Sequence, residues 1–243
     1  AALADAGYDT SVLASVDGVL SASRAVSEVR QVLDDESGPP EFHGYPVYAA
    51  TDAFAASHQV KLQLRAAGYE TDEQVWRALA EGGGKAVVDG NTLPTDFTGM
   101  GGTAFILEGI RGGDQGFDPF AVEVHNAATD AAAKVEVIGI MATAPSQVFL
   151  GVFVDPAVLD TVFGGPESTI RFVRLAPGAD DRQEARDIER TLLGQGIEAE
   201  SVREMIEDAQ RVQEGFLWLI QGFMGLGLLV GIAAVGVIAF RSV

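Results

Sequence analysis

Hydrophobic positions are spaced along this chain in three ways, and each spacing predicts a different element. From Phe216 to Phe240 they are almost continuous: FLWLIQGFMGLGLLVGIAAVGVIAF is 25 residues without a charge, and Gln221 is its one strongly polar side chain. At ~1.5 Å of rise per residue a helix of that length reaches roughly 37 Å, enough to cross a ~30 Å hydrocarbon core with some tilt. Just before it, Val202, Met205, Ile206, Ala209 and Val212 recur at helical spacing in line with Phe216, and Ser201 is followed three residues later by Glu204, a capping-box pattern. The spacing predicts one helix from about residue 202 to about residue 240, a stalk over 201–215 and a transmembrane helix over 216–240. Gly215 is the weak point at the junction, tolerated in a helix at ~1 kcal/mol relative to Ala.

Alternation is the third spacing. Residues 168–175, STIRFVRL, read as a strand; Pro177-Gly178 then turns the chain into a helix that starts at Asp180 or Asp181, buries Ala185, Ile188 and Leu192, and ends near Gly194 and Gly196. A short strand over 197–201 would complete a βαβ unit, with a right-handed crossover expected. The first part of the chain is similarly mixed: a helix or strand over 11–33, a strand over 45–50, and helices over 55–67 and 71–80.

Between these parts the texture changes, because residues 82–154 hold 13 of the 29 glycines and read as strands over 86–89, 103–110, 120–125, 134–140 and 148–155. The expected fold is therefore α+β: a mixed α/β subdomain from 1–81 and 155–200, a small β-rich subdomain inserted at 82–154, then the stalk and membrane helix. The phenylalanine-rich run VFLGVFV at 148–154 suits a buried central strand better than a surface facing substrate or lipid.

Charge sharpens the picture. The formal net charge is −19, and Arg241 is the only charged residue after Glu214. So acidic a chain cannot displace counterions from a phosphate backbone, which excludes ordinary nucleic-acid binding. Glu204, Glu207, Asp208 and Glu214 precede the apolar span and Arg241 follows it, so the positive-inside tendency puts the C-terminus in the cytoplasm and residues 1–215 outside the plasma membrane. Gly227 and Gly231 form a GxxxG pair, a small-residue face on which a second membrane helix can pack closely. The chain starts at Ala1 rather than Met and stops just beyond its first basic residue after the span, so the expectation is a piece of a longer membrane protein.

Candidate chemistry is sparse. The sequence has no cysteine, which excludes disulfide frameworks and thiolate chemistry. His43, His58 and His125 lie far apart and lack metal-ligand spacing. Gly82-Gly83-Gly84-Lys85 lacks the first glycine of a phosphate loop and has Ala86 where a magnesium-holding hydroxyl belongs, so it reads as a turn. Residues 99–104, GMGGTA, satisfy GxGxxA, but strand-like sequence follows where a dinucleotide site needs a helix. Asp114 with Asp118, and Asp34-Asp35-Glu36, lack the EF-hand pattern and read as solvated acidic turns. No serine sits in a GxSxG elbow. No catalytic, cofactor or metal site is expected.

Several stretches resemble one family, the FtsX/MacB-like permeases of ABC transporters: VWRALAEGGGKAVVDGNTLP at 75–94, FILEGI at 105–110, VEVIGIM at 135–141, IRFVRLAPGADDRQEARDIERTL at 170–192, and the C-terminal LGLLVGIAAVGVIAFRSV. The resemblance covers roughly Val47 to Val243 and rests on soft hydrophobic and glycine patterns in a fixed order. It implies an extracytoplasmic α/β domain with a β-rich insert leading into a second membrane helix. It further implies a permease that works as a homodimer or pseudo-dimer with a separate cytoplasmic ABC ATPase subunit. In that family stalks transmit helix movements to the outer domain. No enzyme activity of the chain itself is implied, and no cargo is picked out. The competing reading is a receptor or adhesion ectodomain on a single membrane anchor without transport, and an extracytoplasmic enzyme is a third, which the absent motifs count against.

Overall fold

The computed structural model describes residues 8, 10–33, 40–56, 60–94, 105–142, 150–205, 207, 211, 218 and 220–225. They fall into two compact units: residues 11–177, and residues 1–10 together with 178–243.

The larger unit is built on one mixed sheet. Its strands are β1 (Leu13–Ser21), β2 (Ser27–Gln31), β3 (His43–Gly44), β4 (Val47–Ala50), β5 (Leu62–Arg65), β6 (Lys85–Val88), β7 (Phe120–Asn126), β8 (Ala131–Met141), β9 (Val152–Val154) and β10 (Ser168–Leu175). They are ordered β10-β1-β4-β9-β6-β8-β7-β2-β3, and β5 pairs with the end of β8. Pairing is antiparallel except at β4–β9 and β6–β8. The helices are α1 (Asp52–Ala56), α2 (Asp72–Ala80) and α3 (Pro156–Phe163).

Alternation along the central strands explains why helices cover both faces. Val47 and Ala49, Ala86 and Val88, and Val152 and Val154 point to one side, where Val158, Leu159 and Val162 of α3 complete a core. Tyr48 and Ala50, Val87 and Phe153 point to the other, against Phe54 of α1 and Val75, Trp76 and Leu79 of α2. Strands buried on both faces read as continuous apolar runs, which is what VYAA, AVV at 86–88 and VFV are. Phe153 stacks on Phe54 with ring centroids 5.6 Å apart, and Trp76 meets Phe54 edge-on at 5.7 Å. Residues 152–154 of the VFLGVFV run thus supply a central strand, while 148 and 149 lie outside the described residues. A β-bulge opposite Ala86–Val87 turns both Ile138 and Gly139 toward α2; a Cβ on Gly139 would lie 2.9 Å from Val75 Cγ1, so the missing side chain is what admits the helix so closely.

Caps fix the helix starts. Thr71 and Gln74 form a reciprocal capping box at α2, and Asp155 accepts from the Ala157 and Val158 amides at α3.

Several expectations are corrected. Residues 55–67 are not one helix: α1 ends at Ala56 and β5 follows, because LQLR alternates and pairs with Gly139–Met141, some 75 positions downstream. Residues 105–110 bury Phe105, Leu107 and Ile110 but form no strand. The segment 11–33 is two strands, β1 and β2. No βαβ unit closes on β10: residues 197–200 are not a strand, and β10 pairs antiparallel with β1, more than 140 residues upstream, whose whole length it matches. The strands from residues 82–154, in the order β9-β6-β8-β7, lie between β4 and β2 in the same sheet as β1 and β10.

In the smaller unit, α4 (Asp181–Leu192) is capped by Asp180, whose carboxylate accepts from the Arg182 and Gln183 amides, and it ends in a 3₁₀ turn closed by left-handed Gly196. Beyond it, residues 202–205, 207, 211, 218 and 220–225 are helical. No long stalk helix is defined over the described residues, and none of their helices is long and apolar enough to cross a membrane.

Candidate functional site

The residues singled out at the start of the C-terminal helix lie together with the start of α4. Ser201 is buried, and its Oγ accepts from the Glu204 amide at 3.2 Å, the N-cap bond that the sequence pattern suggests. The other half of a capping box is not formed; Glu204 instead turns its carboxylate toward Arg182, 3.9 Å away. Ser201 Oγ also donates to Asp181 Oδ2 at 2.6 Å, so one hydroxyl ties the first residue of α4 to the cap of the following helix.

Charged side chains reinforce this junction. Arg182 donates to Glu207 at 2.5 Å, Arg203 approaches Asp181 at 3.4 Å, and Arg211 reaches Glu207 at 3.6 Å. Tyr8 adds a hydroxyl bond to Glu184 of α4. The hydrogen bond from Ser201 is the main reason that the Asp181 carboxyl titrates below its usual range, with Arg203 and Arg182 adding to it. Exposed ion pairs of this kind are each worth ~0–1 kcal/mol, so the buried hydroxyl is the keystone and the charges set orientation. The pattern S-x-x-E marked the cap, but Asp181 and Arg182 carry no signal of their own; only folding brings them against partners 20 and 25 positions further along. Gly227, Gly231 and Arg241 lie outside the described residues.

A second polar centre, which sequence reading missed, sits inside the larger unit. Asp89 is fully buried; its Oδ1 accepts from the Asn91 amide at 2.8 Å, and its Oδ2 accepts from the Gly151 amide at 2.9 Å and from the Tyr45 hydroxyl. Burial raises the Asp89 carboxyl above its ordinary value, the three donors pulling it back, and burial also raises the Tyr45 phenol. Every acceptor is used in holding loops, so the group is structural.

Motifs with an apparent chemistry resolve into turns. Gly82, Gly83 and Gly84 all have positive φ, and the Gly84 amide donates to Asp155, an acid standing where a phosphate would be repelled. Asp114 accepts from the Arg111 amide within its own turn. Residues 34–36, His58 and 99–104 lie outside the described residues. His43 and His125 do not converge, and among the described residues no three His, Asp or Glu side chains are arranged to hold a metal ion. A cavity of about 240 Å³ is bordered by Ser23, Asn126, Gly164 and Glu167, and an open groove of about 700 Å³ by Arg65, Tyr69, Gln115 and Asp118. Arg65 is already paired with Asp72 at 2.6 Å, and neither space brings a nucleophile to a base.

No family model matches the sequence, and no curated protein does. Among solved structures, the chain is similar to the extracellular domain of the noncanonic ABC-type transporter YknZ from Gram-positive bacteria, with 15% identity, 82% of this chain and 84% of that chain covered, and a TM-score of 0.37. At that TM-score the likeness carries no residue-by-residue correspondence.

Proposed function

We propose that residues 1–215 are the extracytoplasmic domain of an FtsX/MacB-like ABC transporter permease, and that the helix beginning at Ser201 carries movement between the membrane and that domain. The observation that carries this reading is the apolar character of the C-terminal segment: 25 uncharged residues follow an acidic domain, and Trp218, Phe223 and Met224, on helical residues, are 74%, 70% and 63% exposed. Large apolar side chains left bare on a helix call for a nonaqueous neighbour, and lipid supplies it without a second protein. The Ser201–Asp181 bond and the Arg182–Glu207 pair suit the mechanical role, since they join the start of that helix to α4 without any reactive group. In this reading the chain is no enzyme: ATP is hydrolysed by a separate cytoplasmic ABC ATPase, the permease works as a homodimer or pseudo-dimer, and Gly227 with Gly231 packs against a neighbouring membrane helix.

The test is purification of the full-length membrane protein in mild detergent. An ABC ATPase is expected to co-purify, and Gln210→Pro, which removes a helical hydrogen bond and clashes one turn back at ~3 kcal/mol, is expected to leave that association intact while abolishing the downstream activity. Recovery of the chain as a detergent-free monomer with no ATPase would sink the proposal and favour an ectodomain of another kind.

A further inference from the structure

At the β7–β2 end of the sheet, the face opposite the α3 core carries polar side chains, a histidine among them. On β7 Val122, Val124 and Asn126 point inward, which leaves Glu123 and His125 outward; on β2 Ser27 and Val29 point inward, which leaves Glu28 and Arg30. The register sets Glu28 opposite His125 and Arg30 opposite Glu123. His125 Nδ1 lies 3.0 Å from Glu28 Oε2, and its Nε2 lies 3.1 Å from Asp130 Oδ1 in the turn that leads to β8. A neutral imidazole has one N–H, so one of these carboxylates would face a lone pair; only the doubly protonated ring donates to both.

The ring also has a roof. Phe42 stacks on it with centroids 4.5 Å apart, and the Arg30 guanidinium lies 5.4 Å from the same phenyl ring. Arg30 is held in turn by Glu123 at 2.5 Å. Phe42 precedes β3, the outermost strand of the sheet, which is two residues long and meets β2 at Glu28–Gly44 and Val29–His43. So short a ladder binds weakly on its own; Tyr45, whose amide donates to Ser27 O and whose carbonyl accepts from Ser27 Oγ, anchors its far end, and Phe42, packed on His125 and Arg30, holds the near one.

We propose that His125 is a proton-operated clasp on the β3 edge: protonated, it bridges Glu28 and Asp130 beneath Phe42, and deprotonated, it releases the Asp130 turn and the Phe42–Gly44 edge. The other groups about the ring do not replace it. Arg30 and Glu123 neutralise each other, His43 lies toward Phe105 at 6.2 Å, and from β8 the residue opposite His125 is Ala132, with Lys134 opposite Glu123. Partial burial by itself lowers the basicity of His125, but the hydrogen bonds to Glu28 and Asp130 outweigh it and the net direction is upward. A raised folded-state value means that the clasp is fully present below about pH 6.5, the ordinary histidine value, and is lost as pH rises through the folded value.

The experiment is amide hydrogen exchange of the full chain, corrected for intrinsic chemical rates, from about pH 5.5 to about pH 8.5, a span that brackets the ordinary histidine value. Protection at residues 43–44 and 127–130 is expected to fall about tenfold across that range, equivalent to ~1.4 kcal/mol. His125→Gln should flatten the profile, whereas His43→Gln should leave it as in the wild type. Unchanged wild-type protection, or a His125→Gln profile that still falls, would overturn the proposal. If His125→Gln does not fold, an NMR titration of the imidazole in Glu28→Gln and Asp130→Asn decides: each should lower its midpoint, and a midpoint unmoved in both also overturns it.

Discussion

Gly151→Ala should be among the most damaging single-methyl changes in this molecule. Gly151 has φ +150°, and an ideal Cβ there would lie 2.6 Å from Tyr48 Cε2 and 2.7 Å from Pro46 O. Neither obstacle can retreat. The Tyr48 ring packs against Phe153 at 5.1 Å and its hydroxyl accepts from Arg24, while Pro46 O accepts from the Val152 amide at 2.9 Å at the start of the β4–β9 ladder. Gly151 is itself fixed on both sides, its amide donating to Asp89 Oδ2 at 2.9 Å and its carbonyl accepting from the Asp89 amide at 3.1 Å. Relief therefore requires breaking either a ladder bond or the Asp89 hub. Backbone strain of about 1–3 kcal/mol and overpacking of about 1–3 kcal/mol combine to roughly 2–6 kcal/mol, a large share of the ~5–15 kcal/mol that holds a domain together. Urea titration of the full chain, followed by near-UV circular dichroism of the Phe54–Trp76–Phe153 cluster, measures it. Gly164→Ala is the control: Gly164 closes α3 at φ +73° with nothing within 4 Å of its missing Cβ, so only the left-handed backbone cost of about 1–2 kcal/mol applies. A Gly151→Ala loss no larger than that of Gly164→Ala would refute the packing argument.

Ser201→Ala should remove the N-cap of the C-terminal helix, at ~1 kcal/mol, and let the Asp181 carboxyl titrate upward toward its ordinary value; carbon-detected NMR of the side chain reads the shift. Because the folded-state value is depressed, the stabilisation tied to Asp181 is present above the unfolded carboxyl value near pH 3.9 and is lost as pH falls through the folded one, so the gap between wild type and Ser201→Ala should narrow in acid to the contribution of the cap itself. Tyr45→Phe should cost about 1–3 kcal/mol in the same urea assay, since it strips a donor from buried Asp89, whereas Tyr69→Phe, on a half-buried ring, should cost less.

How far the sequence could be read depended on whether a residue's role was decided by its neighbours in the chain. VYAA, AVV at 86–88 and VFV announced central strands because burial on both faces leaves no polar position, and that demand is local. The alternation of Phe120–Asn126 likewise separated a core face from the face that holds Glu123 and His125. Alternation reports burial and not pairing, however. Residues 105–110 bury Phe105 and Leu107 without joining any ladder, and LQLR became β5 only because the end of β8 was free to accept it. The same limit hid the polar sites. Ser201 was legible as a cap through Glu204, three residues on, but its second partner, Asp181, lies on another helix; Glu28 and Asp130 flank His125 through a register 97 positions long on one side and a five-residue turn on the other. A hydroxyl or an imidazole with one local and one distant partner links elements that the chain keeps apart, and Ser201 and His125 do so at the start of the C-terminal helix and at the edge of the sheet.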